Sequence, residues 1–484
     1  MGGQAATSST ALIMAGAILM IAPAPAAAGA QSQSRFHQLV EAARAAEQAK
    51  DYARAEQVYR EIVRLRPGDP VANQNLGLAL YLQGRYADAI PHLERALDLN
   101  PNLFGASLYL GISRFRGNQF SQALDDLRKT RHLDPKSHLA SYWLGATHLA
   151  LKAYPEAISD LEIAANEAPK DLETLYLLAR AHAEYSAFLL DRLLKLAPDS
   201  VAAHKLRAHD ALAEGLIRPA VVALQKALAL RPDDADARQV LAELEKLTGN
   251  DGTVSAPIVV RVEIPGTSQP PSDAAPDDPD ALYALGMSHE ARSSALGSRL
   301  FELYPDSYRA RLMRGEAYEK GASPDYDKAL QEYRMALALK PDLPGVQYAV
   351  GRILWKLRRW DEAVPFLLGE LQRNPNHGLA HYYLGNCYLS LEDRERAIAH
   401  LEAATRARPD LAQAYRDLGR ALAGSGRHEA AIAAFRKALE SDPEYPGVHA
   451  QMAVAFRALG RMEEAERAAE SARALSIKRN QGLR

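Results

Sequence analysis

Three side chains have the types and spacing from which a chemical site could be built. His377 and His381 are four residues apart, a spacing that places two imidazoles on one helix face, where they could bind a metal ion. Cys387 is the only thiol and therefore the only candidate cysteine nucleophile. No carboxylate lies beside the two histidines, and the pattern places no base near the cysteine. The sequence therefore predicts neither a metal site nor a nucleophile, and it indicates a small buried thiol at Cys387.

The rest of the sequence carries no known catalytic pattern. It has no glycine-rich dinucleotide loop after a strand, no P-loop, no HExxH zinc motif, no GxSxG elbow and no EF-hand loop. The 58 Lys and Arg residues nearly balance 60 Asp and Glu residues, so no overall positive field exists to gather nucleic acid. A single cysteine excludes an intramolecular disulfide framework. We therefore expect no enzymatic activity, no cofactor and no general nucleic-acid binding.

The elements that must position any site recur at a fixed interval, with a period of about 34 residues. Prolines mark this period at 67, 101, 135 and 169, at 198 and 232, and at 341, 375, 409 and 443. A Leu-Gly pair such as Leu76-Gly77 lies at one constant offset before five of these prolines, and an alanine such as Ala89 lies at a second constant offset before most of them. Two apolar stripes with helical spacing fill each unit, and a polar turn separates them. Each unit is thus predicted to be a helical hairpin.

This pattern resembles the tetratricopeptide repeat (TPR) family, whose repeat of about 34 residues has Leu-Gly, then Ala-x3-Phe, then Pro. The resemblance covers residues 36–250 and 280–479. It implies an all-α fold, an α-α superhelix (TPR solenoid) of about a dozen helical hairpins in two arrays joined by a linker. It also implies a concave surface lined mainly by the first helix of each hairpin, which is where such repeats bind their ligands.

Two interruptions organise the array. Pro169 and Pro198 are closer together than this period, so we expect one unit to have lost about five residues around its inter-helix turn. Residues 175–200 align without gaps on residues 282–307, with 12 identities in 26 positions. The shortened unit therefore occurs twice, which we interpret as a segmental duplication.

The second interruption, residues 251–279, carries six prolines and no helical periodicity, so it is predicted to be a linker. Within it, the β-branched run at 258–264 indicates either a short extended strand, a peptide lying in a groove or a solvated tether. The predicted organisation is an N-terminal TPR array at 31–250, this linker, a C-terminal TPR array at 280–479, and a tail at 480–484.

Residues 1–30 differ from the rest of the chain. A polar start, an apolar run from Ala11 to Ala22 and a small-residue stretch ending at Ala30 resemble a secretory signal peptide, although no Lys or Arg precedes the apolar run. We therefore expect an exported protein, periplasmic or secreted, that is anchored in the membrane if this segment is not cleaved.

The TPR resemblance implies which side chains face the concave surface. In the units that begin at 70, 104 and 138 these positions are apolar or aromatic: Leu78, Tyr81, Leu108, Ile112, Phe115 and Tyr142. In the units that begin at 308, 344, 378, 412 and 446 they are mainly basic and aromatic: Arg309, Tyr348, Arg352, Trp355, Lys356, Tyr382, Asn386, Arg416, Arg420 and Arg457. The second set could hold an acidic peptide, unless acidic neighbours cancel its charge.

These patterns lead to a functional hypothesis. We expect a non-enzymatic TPR scaffold that binds protein or peptide ligands, of unknown identity, in the bacterial envelope. The alternative is a docking or regulatory subunit of a machine for envelope biogenesis, secretion or polysaccharide synthesis. The carboxylate clamp of chaperone-binding TPR domains does not map onto the chain, because Asp417 lies where that clamp requires an asparagine.

Overall fold

A computed structural model describes residues 30–213, 215–247, 277–320, 323–445 and 447–481. These residues form helices and turns and no β-strand, so the predicted all-α fold is confirmed. They divide into two compact units, one ending at Leu303 and the other beginning at Tyr304.

Thirteen helices of the described residues belong to the first unit. They are α1 (Ala30–Gln48), α2 (Tyr52–Leu65), α3 (Pro70–Leu82), α4 (Tyr86–Leu99), α5 (Phe104–Arg116), α6 (Phe120–Leu133), α7 (His138–Ala150), α8 (Tyr154–Glu167), α9 (Leu172–Leu196), α10 (Val201–Ala213), α11 (Ile217–Leu230), α12 (Ala235–Leu247) and α13 (Pro279–Leu303).

The described part of the second unit has ten helices. They are α14 (Tyr308–Lys320), α15 (Tyr326–Leu339), α16 (Val346–Lys356), α17 (Trp360–Arg373), α18 (Gly378–Ser390), α19 (Arg394–Ala407), α20 (Ala412–Gly424), α21 (His428–Ser441), α22 (Val448–Ala458) and α23 (Met462–Gln481).

Most repeats are formed by two successive helices, here called helix A and helix B. A residue with positive φ ends the turn between them, such as Gly84 at 77° or Asn118 at 59°. The Leu-Gly glycine of helix A then allows the two helices to approach closely. A Cβ atom on Gly77 would lie 2.6 Å from Cγ of Leu93 in helix B, and a Cβ on Gly145 would lie 2.5 Å from Cγ of Leu161. Any larger residue would overpack this contact, which explains why the sequence keeps glycine there.

The two shortened units differ from the prediction. We expected a helical hairpin with a tighter turn, but each of them is one continuous helix of 25 residues, α9 or α13. For α9 the physical reason is visible in the chain: the residues that remain at the expected turn, 179–190, include no glycine, proline or asparagine that would stop a helix.

Helices α9 and α13 pack against each other in antiparallel orientation. Arg192 near the end of α9 forms an ion pair with Asp277, just before α13 begins. At the opposite end, the Arg299 guanidinium donates a hydrogen bond to the carbonyl oxygen of Pro169 over 3.1 Å. Equivalent residues of the duplication meet at the centre, where His182 and His289 are stacked with ring centroids 5.0 Å apart.

This pairing forms two repeats, and each of them combines one half of α9 with one half of α13. A Cβ atom on Gly286 of α13 would lie 2.6 Å from Cδ2 of Leu190 of α9, which is the helix A to helix B contact of an ordinary repeat. Conversely, Leu296 of α13 packs with Leu178 in a cluster that includes α8. Residues 172–184 with 291–303 are called composite repeat 1, and residues 279–290 with 185–196 composite repeat 2.

The composite repeats change the predicted organisation. Helix α13 lies in the first unit because its apolar face is buried against α9, so the predicted array at 280–479 loses its first helix to that unit. Helices α10 to α12 continue from composite repeat 2, whereas α1 to α8 lead to composite repeat 1. The predicted array at 31–250 is therefore branched.

Several predictions fall on residues that the structure does not describe. These are the signal-like segment up to residue 29, residues 248–276 of the linker region with the run at 258–264, and the end of the chain from 482. Among the described helices, none has the length and apolar character needed to cross a membrane.

Candidate peptide-binding surfaces

Aromatic pairs connect the A helices of neighbouring repeats in the first unit. The Tyr81 ring of α3 lies 5.1 Å from that of Tyr109 in α5, and the Phe115 ring of α5 lies 5.3 Å from that of Trp143 in α7. Tyr142 contacts the same tryptophan at 5.3 Å. Tyr81, Phe115 and Tyr142 are half-buried, so part of each ring reaches the surface.

The other three residues of the predicted apolar groove are in the core. Leu108 and Ile112 are 2% and 4% exposed, and Leu78 is 9% exposed. All three belong to the core cluster of the first unit, because adjacent A helices approach closely enough to cover aliphatic side chains at these positions. The prediction that they line a groove is therefore wrong.

A continuous set of rings lies on α16 and α18 in the second unit. Trp355 contacts Tyr383 with ring centroids 5.0 Å apart, and Tyr383 contacts Tyr382 at 5.2 Å and Tyr348 at 6.0 Å. His377 adds a further contact to Tyr348 at 4.7 Å. These five residues, all half-buried, are called the aromatic ladder.

The sequence identified only part of these aromatic contacts. Tyr348, Trp355 and Tyr382 were predicted, whereas Tyr383 was not. The missed residues are Tyr109, Trp143 and Tyr383. Each of them contacts an aromatic ring in the preceding helix A, and the sequence separation between the two rings is the same in all three pairs. A search for aromatic residues at this offset would have found them.

Three predicted arginines of the second unit are held by buried carboxylates. Arg352 lies 2.5 Å from Oε1 of Glu319, whose side chain is 4% exposed. Arg416 makes two contacts of 2.8 Å with Asp417, which is fully buried, and Arg420 shares the same carboxylate at 3.2 Å.

These ion pairs and the burial around them determine which groups of the surface are charged. Burial works against a charged Arg416, but hydrogen bonding to Asp417 raises the pKa of its guanidinium above the usual value. Burial, with smaller contributions from its neighbours, raises the pKa of Tyr348 to about 12, so the phenol stays neutral. The acidic neighbours expected at Glu319 and Asp417 thus compensate part of the positive charge.

Other predicted residues remain at the surface. Lys356 is exposed and donates a hydrogen bond to the Tyr326 hydroxyl over 3.1 Å. Arg457 is also exposed, and Arg309 is half-buried with its guanidinium 4.9 Å from the ring of Tyr308. Asn386 is different, because it is 8% exposed and its amide donates to the carbonyl of Tyr382 over 3.1 Å. Its assignment to the groove surface is wrong.

The two histidines have structural partners, and the cysteine is buried. Nδ1 of His377 accepts a hydrogen bond from the backbone of Ala380 over 3.1 Å, which caps α18. Nδ1 of His381 lies 3.0 Å from Nδ1 of His400. Among the described residues, no group of three or more potential ligands could hold a metal ion. Cys387 is fully buried as predicted, and burial raises the pKa of its thiol to about 12, which disfavours the reactive thiolate.

Stacked helical hairpins, most of them with a glycine contact between their two helices, define an α-helical repeat protein of the solenoid class. Sequence comparison identifies the family. A tetratricopeptide repeat profile matches residues 40–104, 108–172, 281–344, 348–393 and 388–446, and a second one matches residues 422–475. These matches cover more than half of the chain, which therefore belongs to the tetratricopeptide repeat family. They omit residues 173–280, a stretch that begins in α9 and ends in α13.

Solved structures of TPR proteins are similar to the chain at low sequence identity. MamA from Desulfovibrio magneticus RS-1 is 26% identical, over 35% of this chain and 94% of that one, with a TM-score of 0.33. YrrB, described as a TPR protein with an unusual peptide-binding site, is 20% identical over 37% and 91%, with a TM-score of 0.34. The Cut9–Hcn1 hetero-tetramer of the APC/C is 16% identical over 92% and 94%, with a TM-score of 0.33. No curated protein matches the sequence.

Proposed function

We propose that this protein is a non-enzymatic TPR scaffold that binds an extended acidic segment of a partner protein along the A helices of the second unit. The repeats themselves support a role in protein–protein interaction. The observation that carries the proposal is the aromatic ladder, a continuous row of half-buried rings with Lys356 exposed at the end of α16. Rigid rings give a large contact area at a small cost in conformational entropy, which is why they dominate protein interfaces.

The charge on this surface selects the ligand. Glu319 orders Arg352, and Asp417 orders Arg416 and Arg420, before any ligand binds. When a carboxylate of the ligand binds these guanidinium groups, they therefore lose little further conformational freedom. Two arginines share Asp417, which leaves an excess of positive charge at that point. An acidic peptide complements this excess.

The proposal is tested by fluorescence anisotropy with a labelled oligoglutamate peptide that includes tyrosine, on the full chain. Replacing Trp355 with alanine removes an aromatic anchor, and we expect about tenfold weaker binding. A Lys356→Glu and Arg457→Glu double variant should weaken binding and reduce its dependence on salt.

The matched control is an Arg436→Glu and Lys437→Glu double variant, which makes the same charge change at exposed positions of helix B in α21. It should retain the affinity of the unchanged protein. Equal losses in both charge variants would contradict binding at the ladder and would indicate a nonspecific charge effect.

We also propose export to the bacterial envelope, on the basis of the signal-like residues 1–30. Sequencing the amino terminus of the protein isolated from its host should show Gln31 first, whereas an intact Met1 on a cytosolic protein would contradict export. The alternative function, a docking or regulatory subunit of an envelope machine, is favoured by the branching of the first unit, which offers more than one surface. Affinity capture that recovers an enzyme complex would distinguish it from a scaffold that binds single partners.

A further inference from the structure

One pair of rings in the first unit repeats the geometry of the aromatic ladder. The rings of Phe115 in α5 and Trp143 in α7 have centroids 5.3 Å apart and planes inclined by 66°. In the ladder, the corresponding values for Trp355 and Tyr383 are 5.0 Å and 64°. Each of these two ladder residues lies 240 positions after its counterpart in the first unit. The two units therefore make the same contact between two successive A helices.

A tyrosine and a basic residue complete both sets at the same offset of 240 positions. Tyr142 contacts Trp143 with ring centroids 5.3 Å apart, and the ladder contains the same contact at 5.2 Å. The basic residue, which is exposed at the end of the first of the two A helices, is Arg116 in the first unit and Lys356 in the ladder. Four positions thus agree in residue class, order and spacing. Phe115, Arg116, Tyr142 and Trp143 are called the first-unit aromatic site.

The guanidinium of Arg116 keeps its charge uncompensated. Its Cζ atom lies 5.3 Å from the centre of the Trp143 ring, and no carboxylate of the described residues lies within ion-pair distance of it. Arg114 on the same helix differs, because Glu94 and Asp126 both form ion pairs with it. The A helices α3, α5 and α7 contain no aspartate or glutamate at all. The charge of Arg116 is therefore available to a ligand.

The rings and the guanidinium together indicate the chemistry of the ligand. Phe115, Tyr142 and Trp143 are half-buried, so each ring is held by the helices and still offers part of its surface. A guanidinium that lies on an indole face is partly ordered, and its N–H groups can bind a carboxylate with two parallel hydrogen bonds. Both features lower the entropy that is lost on binding. They fit an acidic side chain flanked by apolar or aromatic groups.

We propose that the first-unit aromatic site binds a second acidic segment of a partner protein, so that one chain holds two ligand segments of the same class. This proposal rests on the proposed function, since it assigns to the first unit the kind of ligand that the ladder binds. Arg116 is the single basic member of this site, whereas Lys356 and three arginines accompany the ladder. We therefore expect the first unit to bind at least about tenfold more weakly, so that the ladder fills first.

The experiment uses the full chain with Trp355→Phe and Trp360→Phe, in which Trp143 is the remaining tryptophan and the ladder keeps its rings. Titration with the unlabelled oligoglutamate peptide, under tryptophan-selective excitation, should give a saturable change in Trp143 fluorescence. Arg116→Glu in this background should weaken that titration about tenfold. A trace of the labelled peptide reports binding at the ladder by anisotropy, and Arg116→Glu should leave it unchanged.

The matched control is Arg95→Glu, which makes the same charge change at an exposed position of helix B in α4 of the same unit. It should leave the Trp143 titration unchanged. A Trp143 signal that does not saturate, or equal losses for Arg116→Glu and Arg95→Glu, would overturn the second site, and ladder binding that persists in that case would leave the proposed function in place. Saturation at Trp143 without binding at the ladder would overturn the proposed function and retain the first-unit site.

Discussion

The ordinary repeats and the composite repeats make the same contact with different connectivity. In an ordinary repeat, the helix A glycine meets a side chain of the helix B that follows it directly, as Gly351 meets Leu367. In composite repeat 2, Gly286 meets Leu190, which precedes it in the chain and is separated from it by α10 to α12. The comparison teaches that a side-chain contact, and not the turn between two helices, defines the repeat. A turn can be lost if another copy of the same segment supplies the missing helix.

The centre of the composite pair also buries polar groups. The glycines of the ordinary repeats contact aliphatic or aromatic side chains, whereas the centre of the composite pair contains two histidines with Nδ1 atoms 2.7 Å apart. One ordinary repeat has a similar pair, His381 and His400, at 3.0 Å. His182 and His289 are 2% and 7% exposed. Because the two helices are copies that pack antiparallel, each position near the centre meets its own equivalent, and a histidine in the shared sequence therefore faces another histidine.

The largest expected effect is the destabilisation of the composite pair by acid. Burial lowers the pKa of both His182 and His289 to about 4, with contributions from Arg292 and, for His182, from His289. Below the unfolded pKa of 6.5 the unfolded chain binds protons that the folded pair excludes, so stability should fall as the pH drops from about 6.5 to 4. Each histidine contributes as much as about 3 kcal/mol to this loss. Urea denaturation followed by Trp143 fluorescence, in a Trp355→Phe and Trp360→Phe background, measures it.

A His182→Gln and His289→Gln double variant should remove most of this pH dependence. The exposed His37 is the matched control, since His37→Gln should leave the pH dependence as it is. A pH dependence that persists in the double variant would show that the histidine pair does not set the acid sensitivity of the first unit.

The next effect concerns the glycine contact itself. Gly286→Leu should destabilise composite repeat 2 by about 1–3 kcal/mol through overpacking against Leu190, and Leu190→Ala should restore part of the loss by providing space. Hydrogen exchange should then increase in both α9 and α13, although residues 197–278 separate them in sequence.

Gly351→Leu in an ordinary repeat provides the comparison, with Leu367→Ala as its compensating change. Here faster exchange should stay in the neighbouring helices α16 and α17. Faster exchange in α13 alone after Gly286→Leu would contradict the exchanged-half arrangement.

The smallest effect should come from the ion pair at the end of the composite pair. Arg192 and Asp277 are 40% and 58% exposed, and exposed pairs contribute little because water screens them. Asp277→Asn should therefore change the free energy of unfolding by less than about 1 kcal/mol. Glu61→Gln, which removes the exposed pair between α1 and α2, should have an equally small effect in thermal denaturation. A large loss for Asp277→Asn only would mean that this ion pair, and not the apolar contact, holds α9 to α13.

The regular part of the fold could be predicted from the sequence because proline and glycine occur at fixed positions. The shortened spacing between Pro169 and Pro198 correctly located the exception, but it could not give its structure. Proline spacing counts residues along the chain, whereas the partner of α9 is distant in sequence. The lack of helix-breaking residues at 179–190 was the available signal for a continuous helix.

The sequence indicated which positions along the A helices belong to the candidate site, but it did not indicate which of their side chains are exposed. Trp355 and Phe115, which were expected at a binding surface, are half-buried. Leu108 and Asn386 were expected beside them and are buried. Their burial depends on how closely adjacent A helices pack. One measure of this packing is that a Cβ atom on Gly105 would lie only 3.0 Å from Oε1 of Gln74 in the neighbouring helix A. Helical periodicity in the sequence does not predict the distance between helices.

The exchanged halves also set the order of events during synthesis on the ribosome. Helices α1 to α8 meet their partners within a few dozen residues, so these repeats can fold one after another as the chain emerges. Helix α9 packs on α8 and α10, but the helix that completes both of its repeats is distant in sequence. The part of its surface that α13 covers, including Leu190, must wait until α13 has left the exit tunnel, after α10 to α12 and the segment that follows them. Because this single pair has a high contact order, we expect it to form last during folding of the first unit and to leave the nascent chain exposed to aggregation until then.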